Sequence, residues 1–309
     1  MSGAEPRPFC AAIDWGTTNM RLWLLGRKGT VIARRASGEG MRACMPDRFE
    51  AVMEAHLTAA GAPDDLPVIV SGMAGARGGW AEAPYLDAPA DLRDLGRNAL
   101  RVPSARRDVR ILPGVCQRMA GREDVMRGEE TQLAGAVAAG TVAGLFCLPG
   151  THSKWARLEE GRLTGFTTFM TGELYALMRQ HSILRDTLGE GDADPGHPAF
   201  GNAVDEMLSE GAVTAALFSL RAAALLSGTG AEELRARLSG LLLGSEIAAA
   251  VSQERPEEVQ LVSAGGQAWL YETAFAAAGI ASRTLDGAEL VRRGLFDAAC
   301  ILWPERMAP

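Results

Sequence analysis

Residues 11–23 place an apolar segment, a short polar turn and a second apolar segment in immediate succession. The pattern predicts a β-hairpin that carries one carboxylate, Asp14, and several N–H and hydroxyl donors at its tip. Such donors can surround phosphate oxygens while the carboxylate holds a hydrated Mg²⁺ ion. The alternative is an ordinary hairpin whose turn uses Asp, Gly and Thr. The candidate phosphate-binding residues of the turn are Gly16, Thr17, Thr18 and Asn19.

A second segment of this kind begins about 135 residues later. Residues 145–149 are apolar, residues 150–154 are predicted to form a polar turn, and residues 155–158 lead out of it. No repeat with a fixed period of 20–50 residues accompanies the two segments, so we expect two related lobes and not a repeat array. The candidate phosphate-binding residues of this turn are Gly150, Thr151, His152, Ser153 and Lys154.

Lys154 and His152 each have two interpretations. The spacing of a Walker A loop is absent, so Lys154 is either a point charge on a phosphate or a solvated hairpin residue. His152 is either a phosphate ligand or a hydrogen-bonded structural residue of the turn. No Cys-x-x-Cys or His-x-x-x-His pair is present, and we therefore expect no dedicated transition-metal site.

Strand and helix signals alternate along the first half and the last third of the chain. A third polar feature, Gly265-Gly266, lies between an apolar strand and a helix, where glycine lets the backbone approach a ligand closely. Glycine-rich loops are predicted at 71–79 and 113–122. The middle is Ala/Leu-rich and helical to about residue 251, with stops expected near Gly211, Gly228 and Gly244. The predicted strands are 10–13, 20–25, 31–33, 68–71, 110–112 and 259–263, and the predicted helices include 47–60 with Asp47 as N-cap, 130–139 and 267–278.

Composition excludes several classes of partner. The formal net charge of −7 gives a nucleic-acid partner no electrostatic support. The five cysteines are scattered, which is typical of a reducing compartment and not of a disulfide framework. The N-terminus lacks the apolar core of a signal peptide, and no apolar stretch is long enough to span a bilayer. We therefore expect a cytoplasmic protein without a membrane or nucleic-acid partner.

The Asp14 hairpin, the Gly150-Thr151 hairpin and Gly265-Gly266 together resemble, in order and spacing, the three nucleotide motifs of the actin, hexokinase and sugar-kinase superfamily. Within that superfamily the chain resembles the bacterial 2-dehydro-3-deoxygalactonokinases. The resemblance covers most of the first 175 residues, and its most specific segments are 148–155 and 169–173. The last third matches mainly in its helical and glycine pattern.

The resemblance implies a two-lobe α/β fold of the ribonuclease H-like, actin/hexokinase type with an inter-lobe cleft. The expected lobes are residues 1–138, with a C-terminal helix at 287–309 packed on them, and residues 139–286. The implied activity is transfer of a phosphoryl group from ATP, with Mg²⁺, to an alcohol acceptor. That acceptor is the 6-hydroxyl of 2-dehydro-3-deoxy-D-galactonate, in galactonate breakdown. We also expect that the chain can form a homodimer.

Glu129 and Glu130 are the candidates for the chemistry on the acceptor hydroxyl. They stand where Gly128 gives way to a predicted helix, so one carboxylate is expected to cap the helix N-terminus. The resemblance favours Glu129 as base or water-orienting residue, because members with a glutamate here have it just before a similar helix. The alternative is that both residues only complement the helix dipole. Many sugar kinases use an aspartate instead.

Five residues are candidates for holding the sugar acid. Arg77 follows an apolar strand in a glycine-rich loop and can clamp a carboxylate with two hydrogen bonds, and Arg127 is the next candidate for this role. Trp80 either stacks on the sugar or packs in the protein. Thr171 and Glu173 are candidates for contacts with sugar hydroxyls. For Thr171 the alternative is that it caps the helix that follows.

Two other functional classes fit parts of the pattern. An exopolyphosphatase-like phosphohydrolase also places paired carboxylates before a helix, and a kinase of a related 2-keto-3-deoxy sugar acid would need the same motifs. A nucleotide-binding sensor would usually carry a further peptide-binding or DNA-binding module, and 309 residues leave no room for one beside two lobes.

Overall fold

A computed structural model of the chain describes residues 7–103, 105–209, 211–252 and 256–307. Contacts within the chain divide it into two units. The first unit runs to Ala143 and includes Leu158–Gly165 and Gly287–Pro309, and the second consists of Gly144–Arg157 and Phe166–Asp286. This division falls five residues after the expected boundary at 138, and it assigns Leu158–Gly165 to the first unit.

The strands of the described residues form three sheets. They are β1 (Cys10–Trp15), β2 (Met20–Leu25), β3 (Val31–Ser37), β4 (Val68–Gly72), β5 (Tyr85–Asp87), β6 (Ala90–Asp91), β7 (Leu100–Arg101), β8 (Val109–Ile111), β9 (Gly114–Gln117), β10 (Asp124–Met126), β11 (Gly144–Leu148), β12 (Ser153–Glu159), β13 (Arg162–Phe169), β14 (Glu258–Val262) and β15 (Ala281–Leu285).

Two of the sheets repeat one topology. The first has the order β3-β2-β1-β4-β8-β7, and the other large sheet has the order β15-β14-β11-β12-β13-β6. In each, three consecutive strands are neighbours, and a later strand runs parallel to the first of them, as β4 does to β1 and β14 to β11. In the first sheet these three strands, β1 to β3, form an antiparallel meander. The duplicated topology agrees with the expectation of two related lobes. The remaining sheet has the order β10-β9-β5.

Helices cover the sheets. They are α1 (Met41–Cys44), α2 (Phe49–Ala59), α3 (Glu129–Ala138), α4 (Thr171–His181), α5 (Arg185–Leu188), α6 (Pro198–Ser209), α7 (Val213–Ser227), α8 (Ala231–Ala250), α9 (Gly265–Ala277) and α10 (Gly287–Leu302). Within the first unit α10 packs along α3 and against β1, and within the second unit α8 packs along α6. Among the described helices, none combines the length and apolar character that crossing a membrane requires.

Buried apolar side chains explain why these elements form. The strand β1 is buried at five of its six positions, which requires cover on both faces of its sheet. Its residues pack with β2, β4 and α2 in one core, whereas β11, β14, α6 and α9 supply a second core in the other unit. Separate cores are the physical basis of the two units.

Several predicted boundaries were wrong. The region 113–122 was predicted to be a loop, but it contains β9. The buried residues of this strand, Val115 and Cys116, are flanked by too few residues to show a clear hydrophobic period. Asp47 is not the N-cap of α2, because that helix begins after Arg48. Gly244 does not stop a helix. It lies inside α8, where its missing side chain lets that helix approach Val204 of α6.

Candidate functional site

The first polar turn joins β1 and β2, as predicted, and is held by a segment that follows β3. The carbonyl oxygens of the turn residues Gly16 and Thr17 accept hydrogen bonds from the backbone N–H groups of Met41 and Arg42. The amide N–H groups of Thr17 and Thr18 make no hydrogen bond to the described residues, so they remain available to an anion.

Gly40 makes this arrangement possible. Its backbone N–H donates to the carbonyl of Thr18, and a Cβ atom at this position would stand 2.4 Å from the Thr18 carbonyl carbon. Any other residue would therefore push the two segments apart. Sequence reasoning missed Gly40, and the only signal was a glycine pair, Gly38 and Gly40, at the end of a strand.

Asp14 lies at the end of β1 beside both a cation and a second carboxylate. Arg21 Nη1 lies 3.6 Å from Asp14 Oδ2. Burial raises the pKa of Asp14, Arg21 opposes this rise, and Glu129 adds to it. The described residues contain no cluster of three or more His, Cys, Asp or Glu side chains that could hold a metal ion. The ligands available near Asp14 are thus its own carboxylate and that of Glu129. So few protein ligands suit an ion that keeps most of its waters, as Mg²⁺ does.

Glu129 and Glu130 begin α3, one residue earlier than the helix was predicted to start. Glu130 is buried, and its carboxylate accepts hydrogen bonds from the Gly128 N–H at 2.7 and 2.9 Å. Glu129 is only half-buried, and its Oε2 accepts the Arg127 N–H at 3.1 Å. The two adjacent carboxylates therefore differ: Glu130 satisfies the backbone before the helix, and Glu129 is the more accessible.

A line of hydroxyl groups connects Glu130 to the end of β4. Thr131 Oγ1 donates to Glu130 at 3.0 Å, and Ser71 Oγ lies 2.6 Å from Thr131 Oγ1. All three side chains are buried. Burial, together with the charge of Glu129, raises the pKa of Glu130 to about 7, although hydrogen bonds from Gly128 and Thr131 oppose the rise.

The three candidate sugar-acid residues of the first unit have different surroundings. Arg77 is exposed in the loop after β4. Arg127 is largely enclosed: its Nη2 donates to the Ala83 carbonyl at 2.9 Å, and its guanidinium lies 4.2 Å from the centre of the Tyr85 ring. Its Nε and Nη1 atoms are buried and make no hydrogen bond to the described residues. Leaving such donors unpaired is costly, which marks Arg127 as a residue suited to an anionic ligand.

Trp80 packs in an aromatic cluster. Its ring stacks on Phe49 with centroids 6.0 Å apart and an interplanar angle of 7°, and Trp15 meets it edge-on at 6.1 Å. One face of the indole is therefore occupied by the protein, and stacking of Trp80 on a sugar stays a prediction.

The second polar turn is shorter than predicted. Ser153 and Lys154 belong to β12, and both are buried. Lys154 is thus not a solvated hairpin residue, and its Nζ donates to the His152 carbonyl at 3.2 Å. The predicted turn extended two residues too far, because the polar residue types at 153 and 154 indicated a turn where tertiary contacts bury the side chains. A contact of Lys154 with a phosphate stays a prediction.

The turn packs against the start of α4. His152 Nε2 lies 2.5 Å from Glu173 Oε2, and the Glu173 N–H donates to the Thr151 carbonyl. A Cβ atom on Gly172 would stand 2.5 Å from the Gly150 carbonyl oxygen, so glycine is needed for this approach. Thr171 does not cap α4, since the cap position is Met170. Of the five sugar-acid candidates, Thr171 and Glu173 therefore lie at the second turn, whereas the other three lie in the first unit.

A cavity of about 480 Å³ lies in the second unit beside this turn. Residues 265–266 are the first two residues of α9 and not a separate loop before it, and Gly265 has a φ of +61°, a conformation that glycine adopts readily. Gly266 lines the cavity, and Gly265 is not among the lining residues. Sequence reasoning missed the aromatic lining, which helical segments without a motif contribute. The lining includes Gly150, Thr171, Tyr175, Gly266, Trp269 and Tyr271.

Comparison with known proteins identifies relatives over nearly the whole chain. Residues 14–298 match the family described as 2-keto-3-deoxy-galactonokinase. A probable 2-dehydro-3-deoxygalactonokinase of Rhizobium meliloti (strain 1021) is 47% identical over 300 residues, which are 96% of this chain and 98% of that protein. The 2-dehydro-3-deoxygalactonokinase of Escherichia coli (strain K12) is 33% identical over 291 residues, which are 93% of this chain and 96% of that protein.

A solved structure shares the fold. The crystal structure of a Sinorhizobium meliloti protein assigned as a 2-dehydro-3-deoxygalactonokinase superposes with a TM-score of 0.92 at 47% identity. The match covers 96% of this chain and 99% of that one. The predicted family resemblance and the predicted two-lobe α/β fold are both confirmed.

Proposed function

Because the chain belongs to the 2-keto-3-deoxy-galactonokinase family, we propose that it phosphorylates the 6-hydroxyl of 2-dehydro-3-deoxy-D-galactonate with ATP. The observation that carries the proposal is 47% identity, over almost the full length of both chains, to a relative that bears this enzyme's name. The reaction is phosphoryl transfer to an alcohol. The acceptor oxygen bonds to the γ-phosphorus, the bond to the ADP oxygen breaks, and the hydroxyl proton leaves.

Glu129 is proposed to orient the acceptor hydroxyl and take its proton. It is the more accessible of the two carboxylates at the start of α3, and a base in this role needs mainly proximity to the hydroxyl. Glu130 is proposed to hold Gly128 and the helix start in place, which its buried hydrogen bonds to the backbone support. Phosphoryl transfer depends mostly on positioning and on neutralising charge, so a rigid helix start is valuable here.

Asp14 is the residue proposed to hold Mg²⁺, through water. When bound, this ion would neutralise charge on the phosphates. The backbone N–H groups of Thr17 and Thr18 are proposed to bind phosphate oxygens, which their lack of partners among the described residues supports.

The cavity of the second unit is proposed to bind the nucleoside of ATP. It combines a glycine helix start, apolar walls and exposed aromatic surface from Trp269, which is the composition expected of such a pocket. The turn Gly150–His152 borders the same cavity and is proposed to meet the phosphates. His152 is paired with Glu173 in the structure. Binding of a phosphate by His152 therefore requires either that this pair separate or that His152 contact the carboxylate and the phosphate together.

The sugar-acid carboxylate is proposed to bind Arg77, with Arg127 as the second candidate. A planar guanidinium matches the carboxylate of a 2-keto acid better than an ammonium group does. The exposed side chain of Arg77 favours this residue as the carboxylate ligand. The two guanidinium N–H donors of Arg127 that lack a hydrogen-bond partner among the described residues favour Arg127. A cytoplasmic location and a homodimer also remain proposals, and light scattering of the purified protein tests the second.

A coupled assay of ADP release over a panel of 2-keto-3-deoxy acids tests the proposal. We expect turnover with 2-dehydro-3-deoxy-D-galactonate to exceed turnover with its gluconate-derived epimer. Asp14→Asn should abolish turnover while the circular dichroism spectrum stays that of the wild type. Release of inorganic phosphate without a sugar acid, at a rate equal to ADP release with one, would instead indicate the phosphohydrolase, which the relatives do not favour.

A further inference from the structure

A carboxylate that no motif predicted lies behind the proposed nucleotide cavity. Glu246 is on α8, is 2% exposed, and is not among the residues that line the cavity. Burying a carboxylate is expensive unless hydrogen bonds compensate for the lost water. The hydrogen bonds around Glu246 therefore indicate its role in the structure.

Four side chains donate hydrogen bonds to Glu246. Trp155 Nε1 donates to Oε1 at 2.8 Å, and Ser153 Oγ donates to Oε2 at 3.0 Å. The Tyr271 hydroxyl donates to Oε1 at 3.2 Å, and Thr171 also hydrogen-bonds to the carboxylate. Ser153, Trp155 and Tyr271 are each at most 3% exposed, so three of the four donors are buried together with Glu246, whereas Thr171 is half-buried.

The four donors come from three elements, β12, α4 and α9, and residues of α4 and α9 line the cavity. Ser153 and Trp155 begin β12, directly after the turn proposed to meet the phosphates. Thr171 is the first residue of α4, whose start packs against that turn, and Tyr271 lies on α9, which begins at the glycine pair. The Glu246 side chain thus connects the turn proposed to meet the phosphates to the helix at the nucleoside end of the cavity.

We propose that Glu246 is a positioning residue that fixes the second phosphate turn relative to α9, so that one nucleotide can contact both. The inference rests on the proposed assignment of this cavity to the nucleotide. A ligand that spans two segments binds tightly only if their separation is set before it arrives, because ordering them on binding would cost affinity. Adenosine, which reaches only the nucleoside end, should depend on Glu246 much less than ATP does.

The test compares the binding of ATP and of adenosine to the full-length protein by calorimetry. Glu246→Gln keeps the volume of the side chain but presents an NH₂ group to a network made of donors. We expect the Kd of ATP to rise at least tenfold and that of adenosine to rise less than threefold, while the KM of the sugar acid stays within twofold. Glu233→Gln, an exposed position on the same helix, is the matched control and should leave all three constants unchanged.

Tyr271→Phe keeps the inference testable if Glu246→Gln does not fold. It retains the ring that lines the cavity and removes only the hydroxyl that contacts Glu246 and Ser153. The same selective loss of ATP affinity is expected, at about threefold. Equal losses for ATP and adenosine, or none in a folded variant, would overturn the positioning role. Wild-type protein that binds neither ATP nor adenosine would overturn the nucleotide assignment itself.

Discussion

At the scale of single residues, burial distinguishes side chains of the same type in the first unit. Glu129 and Glu130 are neighbours in sequence, yet burial separates them into an accessible carboxylate and one committed to the backbone. Arg77 and Arg127 are likewise the same residue type in contrasting surroundings, one exposed and one enclosed. At this scale, function follows from environment more than from residue type.

The first prediction concerns the sugar-acid carboxylate. Arg77→Lys should raise the KM of the sugar acid more than that of ATP, because lysine cannot form the two parallel hydrogen bonds of a guanidinium. Loss of such a charged contact costs about 1.5–3 kcal/mol, or one to two decades in kcat/KM. Steady-state kinetics with each substrate varied measures this, and Arg122→Lys is an exposed control. If only Arg127→Lys raises this KM, Arg127 is the clamp.

The second prediction is a pH dependence of stability that originates in Glu130. Its folded pKa of about 7 lies above the ordinary value of 4.5, so the fold favours the neutral carboxyl. The stabilisation is complete below pH 4.5 and is lost as the pH rises through about 7. Relative to Glu130→Gln, which mimics the neutral form, the wild type should lose on the order of 3 kcal/mol between pH 4.5 and 8.

Urea denaturation at a series of pH values measures this difference. Glu123→Gln, at an exposed site, should keep a constant difference from the wild type over the same range. A Glu130→Gln curve parallel to that of the wild type would show that Glu130 has an ordinary pKa.

At the scale of elements, both polar turns depend on a neighbouring segment that touches them through a glycine. The first turn is held by residues 40–42, and the second by the start of α4. Neither support is part of the hairpin itself. A turn of four or five residues has too few contacts of its own to stay in one conformation, so these supports set the positions of its donors.

The third prediction follows from the first of these supports. Gly40→Ala places a methyl group 2.4 Å from the backbone of Thr18, so the two segments must separate. We expect a loss of about 1–3 kcal/mol in stability, as for other overpacked sites. We also expect kcat/KM for ATP to fall at least tenfold. Thermal unfolding and kinetics measure both effects. Gly38→Ala is the matched control, because a Cβ atom there meets no atom within 4 Å.

At the scale of the whole molecule, the two units carry separate parts of the proposed reaction. Asp14, Glu129, Arg77 and Arg127 belong to the first unit, and the cavity belongs to the second. Each unit has its own core, and in both large sheets the first of three consecutive strands pairs with a later parallel strand. Variants at the cavity should therefore change the binding of ATP and leave the binding of the sugar acid unchanged.

The fourth prediction tests that separation. Trp269→Ala removes an aromatic surface from the cavity and should raise the KM of ATP about threefold to tenfold, the equivalent of ~0.5–1.5 kcal/mol for an aromatic contact. The KM of the sugar acid should not change. Phe218→Ala, an exposed aromatic of the same unit that does not line the cavity, is the control. A rise in the KM of the sugar acid alone would show that the cavity does not bind the nucleotide.

The sequence by itself determined the elements that carry the motifs. The strands around Asp14, the helix that begins at the paired glutamates and the helix-rich middle were predicted to within a few residues, because their periodicity and flanking glycines are local signals. The family motifs likewise depend on residues close together in the chain, so the resemblance and the function that it implies could be identified before any contact was known.

Only the tertiary structure decided the surroundings of those motifs. Lys154 became a buried strand residue, Gly244 an interior contact of α8, and Glu246 the acceptor for donors 25 to 93 residues away. Contacts over such separations leave no periodic pattern in a single sequence, since they depend on which surfaces the fold brings together. The motifs are therefore local in origin, whereas the packing that orients them is a property of the folded chain.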